Sequence, residues 1–336
     1  MSFKYLAPSS LEEVFEALKQ NKGAKLYAGG SDVLLQLRAH TIEPDCLVSL
    51  AKVEGLDFIR VSEDGARIGS MTTLRAVEDT KIIKDNFTTL SEAARNVASQ
   101  KLRNRATIGG NLCQKVKCPY FNQSHINLFM RQSLEPCFKR GGKVCHAVRY
   151  GDDLLHTITG KSYCKAPLPS DMAMALCALG ASVVLQSPAG SIEIMVKDFY
   201  RVDAEPQIKS DMVLTEIKIP GRRHFSAYKT YKPGPGVFAL VSASADVVPA
   251  EDGRACAKAQ ICLGGVAQTP YMAEESVRFL EGGVMSPERI EAASKMLFKD
   301  VNITNDDVLF KVAKARDLFR KAVALAWNRT LEGAKS

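Results

Sequence analysis

The chain contains no apolar run near the length of about 18 residues that a membrane-crossing helix requires. Its opening, "MSFKYLAPSSLEEVFEALKQ", has neither the apolar centre nor the small-residue cleavage site of a secretory leader. Both absences read as a cytoplasmic protein with no membrane span. There is no dense lysine/arginine block and no ribonucleoprotein-type motif, so the formal charge of +8 reads as a solvated surface and not as a nucleic-acid footprint. Internal repeats and low-complexity tracts are also missing. What remains is an ordinary globular composition, 46% hydrophobic and 24% charged over 336 residues, long enough for two or three domains.

Local patterns order the chain. Ser10 is placed to cap a helix over "SSLEEVFEALKQN", with Glu13 completing a capping box and Leu11, Val14, Phe15 and Leu18 forming its apolar stripe. "AKLYAGGSDVLLQLR" predicts a strand, a glycine-pair turn and a helix from Asp32. "LDFIRVSEDGARIGSM" predicts a hairpin turning at Glu63-Asp64-Gly65, followed by helices over "TTLRAVEDTKII" and "TTLSEAARNVAS". Later come a helix capped at Ser170, a hairpin turning at Ser187–Gly190 and a strand in "DMVLTEIKIP". Beyond Pro220-Gly221 lie longer strands ("HFSAYKTYK", "GVFALVSASADVV", "AKAQICLGGV"), a helix opening at Ser286-Pro287, and a last helix from about Asp306 to Trp327. Runs of strands followed by runs of helices give an α+β class.

Two stretches share a grammar: "YAGGSD" and "TIGGN" each read as an extended approach, two glycines and a small polar residue at a strand-to-helix transition. Consecutive glycines let backbone N–H groups converge into an anion nest, to which Ser31, Thr107 and Asn111 can add hydrogen bonds, and Asp32 can cap the helix behind it. Neither turn fits G-x-G-x-x-G, so a Rossmann site is not indicated. The bland alternative, two tight turns, stays open.

Nine cysteines without a leader read as reduced thiols. Cys46, Cys177, Cys256 and Cys262 sit among apolar neighbours and read as small core residues, and Cys113 as packing beside the glycine turn. Cys118, Cys137, Cys145 and Cys164 are spaced C-x18-C-x7-C-x18-C through polar, irregular sequence. These four form none of the close pairs of zinc fingers, whereas a four-iron cube asks for convergence and not adjacency. A metal would explain a loop of about forty structureless residues, because ligation energy becomes folding energy. Lys139, Arg140, Lys143 and Lys165 would favour thiolates. Spacing alone leaves three readings: an iron–sulfur site, zinc with a histidine from His125, His146 or His156, or unligated thiols.

"KLYAGGSDVLLQLR", "RATIGGNLCQ" and "SDMAMALCALGA", in that order, resemble the FAD-binding medium subunits of the xanthine dehydrogenase/molybdenum hydroxylase family, over nearly the whole chain. The insert, with "CPYFNQ", "CFKRGGKVCH" and "YCK", resembles the loop that carries a [4Fe-4S] cluster in 4-hydroxybenzoyl-CoA reductase beta subunits. The resemblance implies a two-lobed FAD-binding domain, residues 1–57 and 58–222 with an insert at about 114–165, and a C-terminal α+β domain over 223–336. It implies that Ala28, Gly29, Gly30, Ser31 and Asp32 hold the FAD pyrophosphate from one lobe and Thr107, Ile108, Gly109, Gly110 and Asn111 from the other. It further implies Asp171 at the adenosine, Leu214 and Lys229 near the flavin ring, and Cys118, Cys137, Cys145 and Cys164 as cluster ligands. The implied activity is electron transfer in a molybdopterin oxidoreductase, with a small [2Fe-2S] subunit, a large molybdopterin subunit and a carrier such as ferredoxin as partners. "KPGPGVFALVSAS" departs from the family's more polar stretch, so no flavin contact is carried over to residues 232–238.

Overall fold

The computed structural model describes residues 3–122, 135–151, 154, 156–159, 163–221, 225–234, 237–302 and 305–333. Its described residues hold three sheets. In the first, β1 (Lys4–Leu6), β2 (Lys25–Tyr27) and β3 (Cys46–Ser49) run parallel in the order β1-β3-β2. Helices α1 (Leu11–Gln20) and α2 (Val33–Arg38) make the crossovers. Ser10 caps α1 by accepting the Glu13 N–H, and the Glu13 carboxylate returns to the N–H of Ser9 (2.7 Å) rather than of Ser10. Val14 and Ala17 of α1 then pack on Cys46, Val48, Leu50 and Val53.

The second sheet is antiparallel, ordered β4 (Ile59–Ser62), β5 (Gly65–Gly69), β8 (Val213–Pro220), β6 (Ser182–Ser187), β7 (Gly190–Met195). Between β5 and β6 come α3 (Leu74–Asp79), α4 (Lys81–Asn86), α5 (Thr88–Asn96), α6 (Gln100–Arg103), α7 (Ile108–Leu112), α8 (Pro119–Asn122), α9 (His146–Tyr150) and α10 (Asp171–Ala178). All eight residues of α10 are buried, so "DMAMALCA" is the spine of this core and not an amphipathic surface helix.

The third sheet, antiparallel, runs β12 (Tyr271–Met272), β11 (Cys256–Gly264), β10 (Val241–Pro249), β9 (Phe225–Tyr231). It is followed by α11 (Glu274–Leu280), α12 (Pro287–Lys295) and α13 (Asp306–Gly333), and α13 lies across β9 and β10. Val308, Val312, Leu318 and Val323 face this core as expected, together with fully buried Phe319 and Ala322, whereas Leu325 is half-buried. The α+β class is that expected from the strand and helix runs.

Several expectations need correction. The helix foreseen over 72–83 breaks at Thr80, whose extended backbone ends α3 and starts α4. β10 opens at Val241, not near Val237. The strands β1 and β3 carried no readable pattern: β1 is three residues long, and β3 is buried along its whole length. The insert is not structureless: α8, α9 and a 3-10 turn at Phe138–Arg140 lie within it. No described helix is long and apolar enough to cross a membrane.

Candidate functional site

The first glycine pair connects β2 to α2. Gly29 lies so close to the other turn that a Cβ on it would stand 1.8 Å from the Arg105 carbonyl oxygen and 3.2 Å from the Ala106 Cα. Gly30 has φ +78°, and a Cβ there would meet the Tyr27 ring and hydroxyl. Only glycine satisfies both constraints without displacing neighbours.

The second pair departs from expectation, because it lies inside the short helix α7 and not at a strand-to-helix turn. The reason is local: Thr107 caps α7, its hydroxyl accepting the Gly110 N–H at 3.1 Å. The N–H groups of Ile108 and Gly109 bond the carbonyls of Thr72 and Ser70 (both 2.9 Å), which ties α7 to the end of β5. Asn111 is buried, and its Oδ1 accepts the Ser170 hydroxyl at 2.7 Å, while Ser170 also caps α10. A Cβ on Gly110 would lie 3.9 Å from that of Ala28. The fold thus brings the two glycine pairs, eighty residues apart in sequence, edge to edge.

Asp32 does not cap α2. Its carboxylate accepts Gln36 Nε2 at 2.6 Å and the Lys115 N–H at 3.1 Å, and pairs with the Lys117 ammonium. Asp171 is buried at the start of α10 and accepts the Tyr228 hydroxyl at 2.5 Å. Burial pushes its carboxyl up, against the Tyr228 hydrogen bond and the Lys232 charge. Leu214 is buried on β8 opposite Leu185. Lys229 is half-buried on β9, and strand alternation puts it on the face that carries Ala227 and Tyr231, opposite to Tyr228. Asp171 and Lys229 are therefore not on one face. Sequence reasoning missed Lys115, Lys117 and Tyr228, and it read Ser170 as a cap without its link to Asn111. The alternation "QKVKC" was the available signal for the two lysines, and Tyr228 carried none.

Cys118, Cys137, Cys145 and Cys164 line one pocket, with Tyr120, Phe121, Phe138, Ala147 and Ala166 as its apolar wall and Lys139 at its side. The space between them is about 10 Å³, room for roughly one water, so the walls stand together. His146 also lines the pocket. Its Nε2 bonds the Glu135 carbonyl at 2.8 Å, and its buried Nδ1 has no partner among the described residues. His156 is buried with Nε2 3.4 Å from Cys118 Sγ, and His125 lies outside the described residues. The expected thiolates are not favoured: burial raises Cys118 to about 12 and raises Cys137 and Cys164. Desolvation outweighs the neighbouring cations, so any metal binding here releases protons. Cys46, Cys177, Cys256 and Cys262 are buried core residues, and Cys113 packs at the edge of the second core.

Residues 1–222 match the family described as the FAD binding domain in molybdopterin dehydrogenase, and residues 226–326 the CO dehydrogenase flavoprotein C-terminal domain. The chain belongs to the molybdopterin dehydrogenase FAD-binding family. It is 30% identical over 97% of its length to the aldehyde oxidoreductase FAD-binding subunit PaoB of Escherichia coli (strain K12), covering 98% of that protein. It is 24% identical to the carbon monoxide dehydrogenase medium chain of Hydrogenophaga pseudoflava, over 97% of this chain and 98% of that one. The fold superposes on a subunit of quinoline 2-oxidoreductase from Pseudomonas putida 86 with a TM-score of 0.76, at 22% identity and 98% coverage of each chain. The protein is an FAD subunit of a molybdopterin-type oxidoreductase. At the glycine pairs backbone meets backbone: the place a Gly29 Cβ would take is filled by the Arg105 carbonyl, and the N–H groups of Ile108, Gly109 and Gly110 are bonded within the fold, so only the first turn has the glycine backbone of an anion nest.

Proposed function

We propose that this FAD subunit also holds a [4Fe-4S] cluster, on Cys118, Cys137, Cys145 and Cys164, and passes electrons between an external one-electron carrier such as ferredoxin and the rest of its complex. The carrying observation is the convergence of those four cysteines on one apolar-walled pocket that, among the described residues, has no carboxylate in its lining and leaves the buried His146 Nδ1 without a partner. Four thiols with no hard oxygen ligand suit iron–sulfur ligation. The zinc reading draws on His156 beside Cys118, yet no three described Cys, His, Asp or Glu side chains are placed to hold one ion.

When bound, FAD and the cluster supply interconversion of two-electron and one-electron chemistry. In this reading, Ala28–Asp32 and Thr107–Asn111 flank the pyrophosphate, the first turn with its backbone and the second as a rigid wall tied to β5. Asp171 serves the adenosine end through the Tyr228 pair, and Leu214 and Lys229 lie toward the flavin ring. The division into 1–57, 58–222 and 223–336 belongs to the same proposal. Its partners are a small [2Fe-2S] and a large molybdopterin subunit, as the medium-chain relatives suggest, in a cytoplasmic enzyme. The resemblance of the insert's sequence to 4-hydroxybenzoyl-CoA reductase beta subunits extends the proposal to an aromatic acyl-CoA thioester as one substrate class for the assembled enzyme, whose substrate site lies on another subunit.

Anaerobically purified chain should contain about four irons and four acid-labile sulfides per FAD. Cys137→Ser and Cys145→Ser should lose most of the iron, keep the flavin, and slow flavin bleaching by reduced ferredoxin at least about tenfold. Yellow protein with no iron would remove the cluster and leave the FAD subunit standing.

A further inference from the structure

Two ion pairs and a backbone hydrogen bond join the cysteine pocket to the first glycine turn. Lys139, two residues after Cys137, lines the pocket and places its ammonium 2.8 Å from Glu205 Oε1 and on the Asp203 carbonyl. The other Glu205 oxygen, Oε2, holds the Lys115 ammonium. Lys115 in turn gives its backbone N–H to Asp32 Oδ2, two residues past the Gly29-Gly30 turn, and Lys117 closes the same carboxylate from the other oxygen. These groups are largely shielded: side-chain exposure is 8% at Lys139 and 18% at both Glu205 and Asp32.

Glu205 is held in place from both sides of its own loop. Its carbonyl accepts the Arg201 N–H at 2.8 Å, and Ala204 before it is buried at φ +65°, a conformation that costs a non-glycine residue about 1 kcal/mol or more. Burial alone would raise the Glu205 carboxyl, but Lys115 and Lys139 outweigh it and hold it low, so it stays charged between its two lysines. Residues 114–117 run directly from the end of α7 to Cys118, so a displacement of the pocket wall reaches Asp32 by two routes, the chain and the Glu205 bridge.

We propose that Glu205 is a positioning residue that couples the two cofactor sites, so that filling the cysteine pocket and binding FAD change each other's affinity. The inference rests on the iron–sulfur reading above. Lys139 lines the pocket of about 10 Å³ that would have to open to admit a cluster, and it shares its carboxylate partner Glu205 with the segment latched to the first glycine turn. Coupling of this kind is reciprocal.

The test uses the full chain, anaerobic, in iron-loaded and chelator-stripped forms, with FAD affinity read from flavin fluorescence. Wild type should bind FAD at least about fivefold more tightly when iron-loaded. Glu205→Gln, which keeps the shape and removes the charge, should bring that ratio below about twofold while iron content stays at the wild-type level. Lys115→Met, which cuts the bridge on the FAD side and leaves Lys139 on Glu205, should do the same should the glutamine variant fail to fold. An iron-loaded wild type with no affinity difference, or variants that keep it, overturns the bridge and leaves the cluster intact. A chain that never takes up iron overturns both readings.

Discussion

Gly29 is where the site depends most on one atom's absence. The Arg105 carbonyl occupies the place a Cβ would need, and rigid backbone stands on both sides. Gly29→Ala must therefore push the two turns apart, at a cost of about 1–3 kcal/mol for overpacking. Gly110→Ala is the matched comparison, because its Cβ would press mainly on the Thr107 hydroxyl at 2.9 Å, which can rotate. Purified Gly29→Ala should lose most of its bound flavin, with affinity down at least about tenfold, and Gly110→Ala should retain more. Flavin-to-protein absorbance ratios after gel filtration decide it, and equal retention would show that the separation of the turns does not govern binding.

The link between α10 and α7 shows how one cap serves two elements. The Ser170 hydroxyl accepts the Ala173 N–H at 3.0 Å and donates to Asn111, so it satisfies one of the unpaired donors at the start of α10 and fixes the side chain behind the second glycine pair. Ser170→Ala should lower stability by about 1–2 kcal/mol by urea denaturation and also weaken FAD binding, because Asn111 loses its donor. A stability loss with unchanged flavin affinity would confine Ser170 to capping. Elements of this kind were readable where the signal is local: the Ser10, Ser170 and Ser286 caps and both hairpin turns are in the sequence as they are in the fold. The site was legible in its parts and not in its wiring. Asp32 looked like a helix cap because Gln36, the nearest local partner, says nothing of Lys115 and Lys117, which lie 83 and 85 residues away. The thiols looked like thiolates because nearby cations are visible in sequence and burial is not.

At the scale of the whole molecule, the insert is pinned by the third core and not only by the second. Ile158 and Thr159 give their N–H groups to the Val266 carbonyl, Gln268 bonds the Cys164 carbonyl at 2.7 Å, and Leu154 and Ile158 pack against the third core. The deepest of these ties is Lys311 of α13, fully buried, with its ammonium on the carbonyl of His156, whose ring faces Cys118. Burial lowers this lysine from 10.5 to about 7. The folded chain therefore binds fewer protons than the unfolded chain between those values, and stability rises with pH across that window; below about pH 7 the cost of the buried charge is fully present. Lys311→Met removes the cost and the pH dependence together, while leaving the His156 carbonyl short of one donor. Relative to wild type, the methionine variant should be best placed at pH 7 and lose ground by up to about 1.4 kcal/mol per pH unit toward pH 9. The buried thiols run the other way, since a raised pKa yields stability that is lost as pH climbs past 9, but they are common to both proteins and cancel in the difference. Urea denaturation of the full chain at pH 7, 8 and 9 measures that difference. A gap that stays constant with pH would mean that Lys311 is not titrating in the folded chain and that the tie between α13 and the cysteine insert carries a permanent charge.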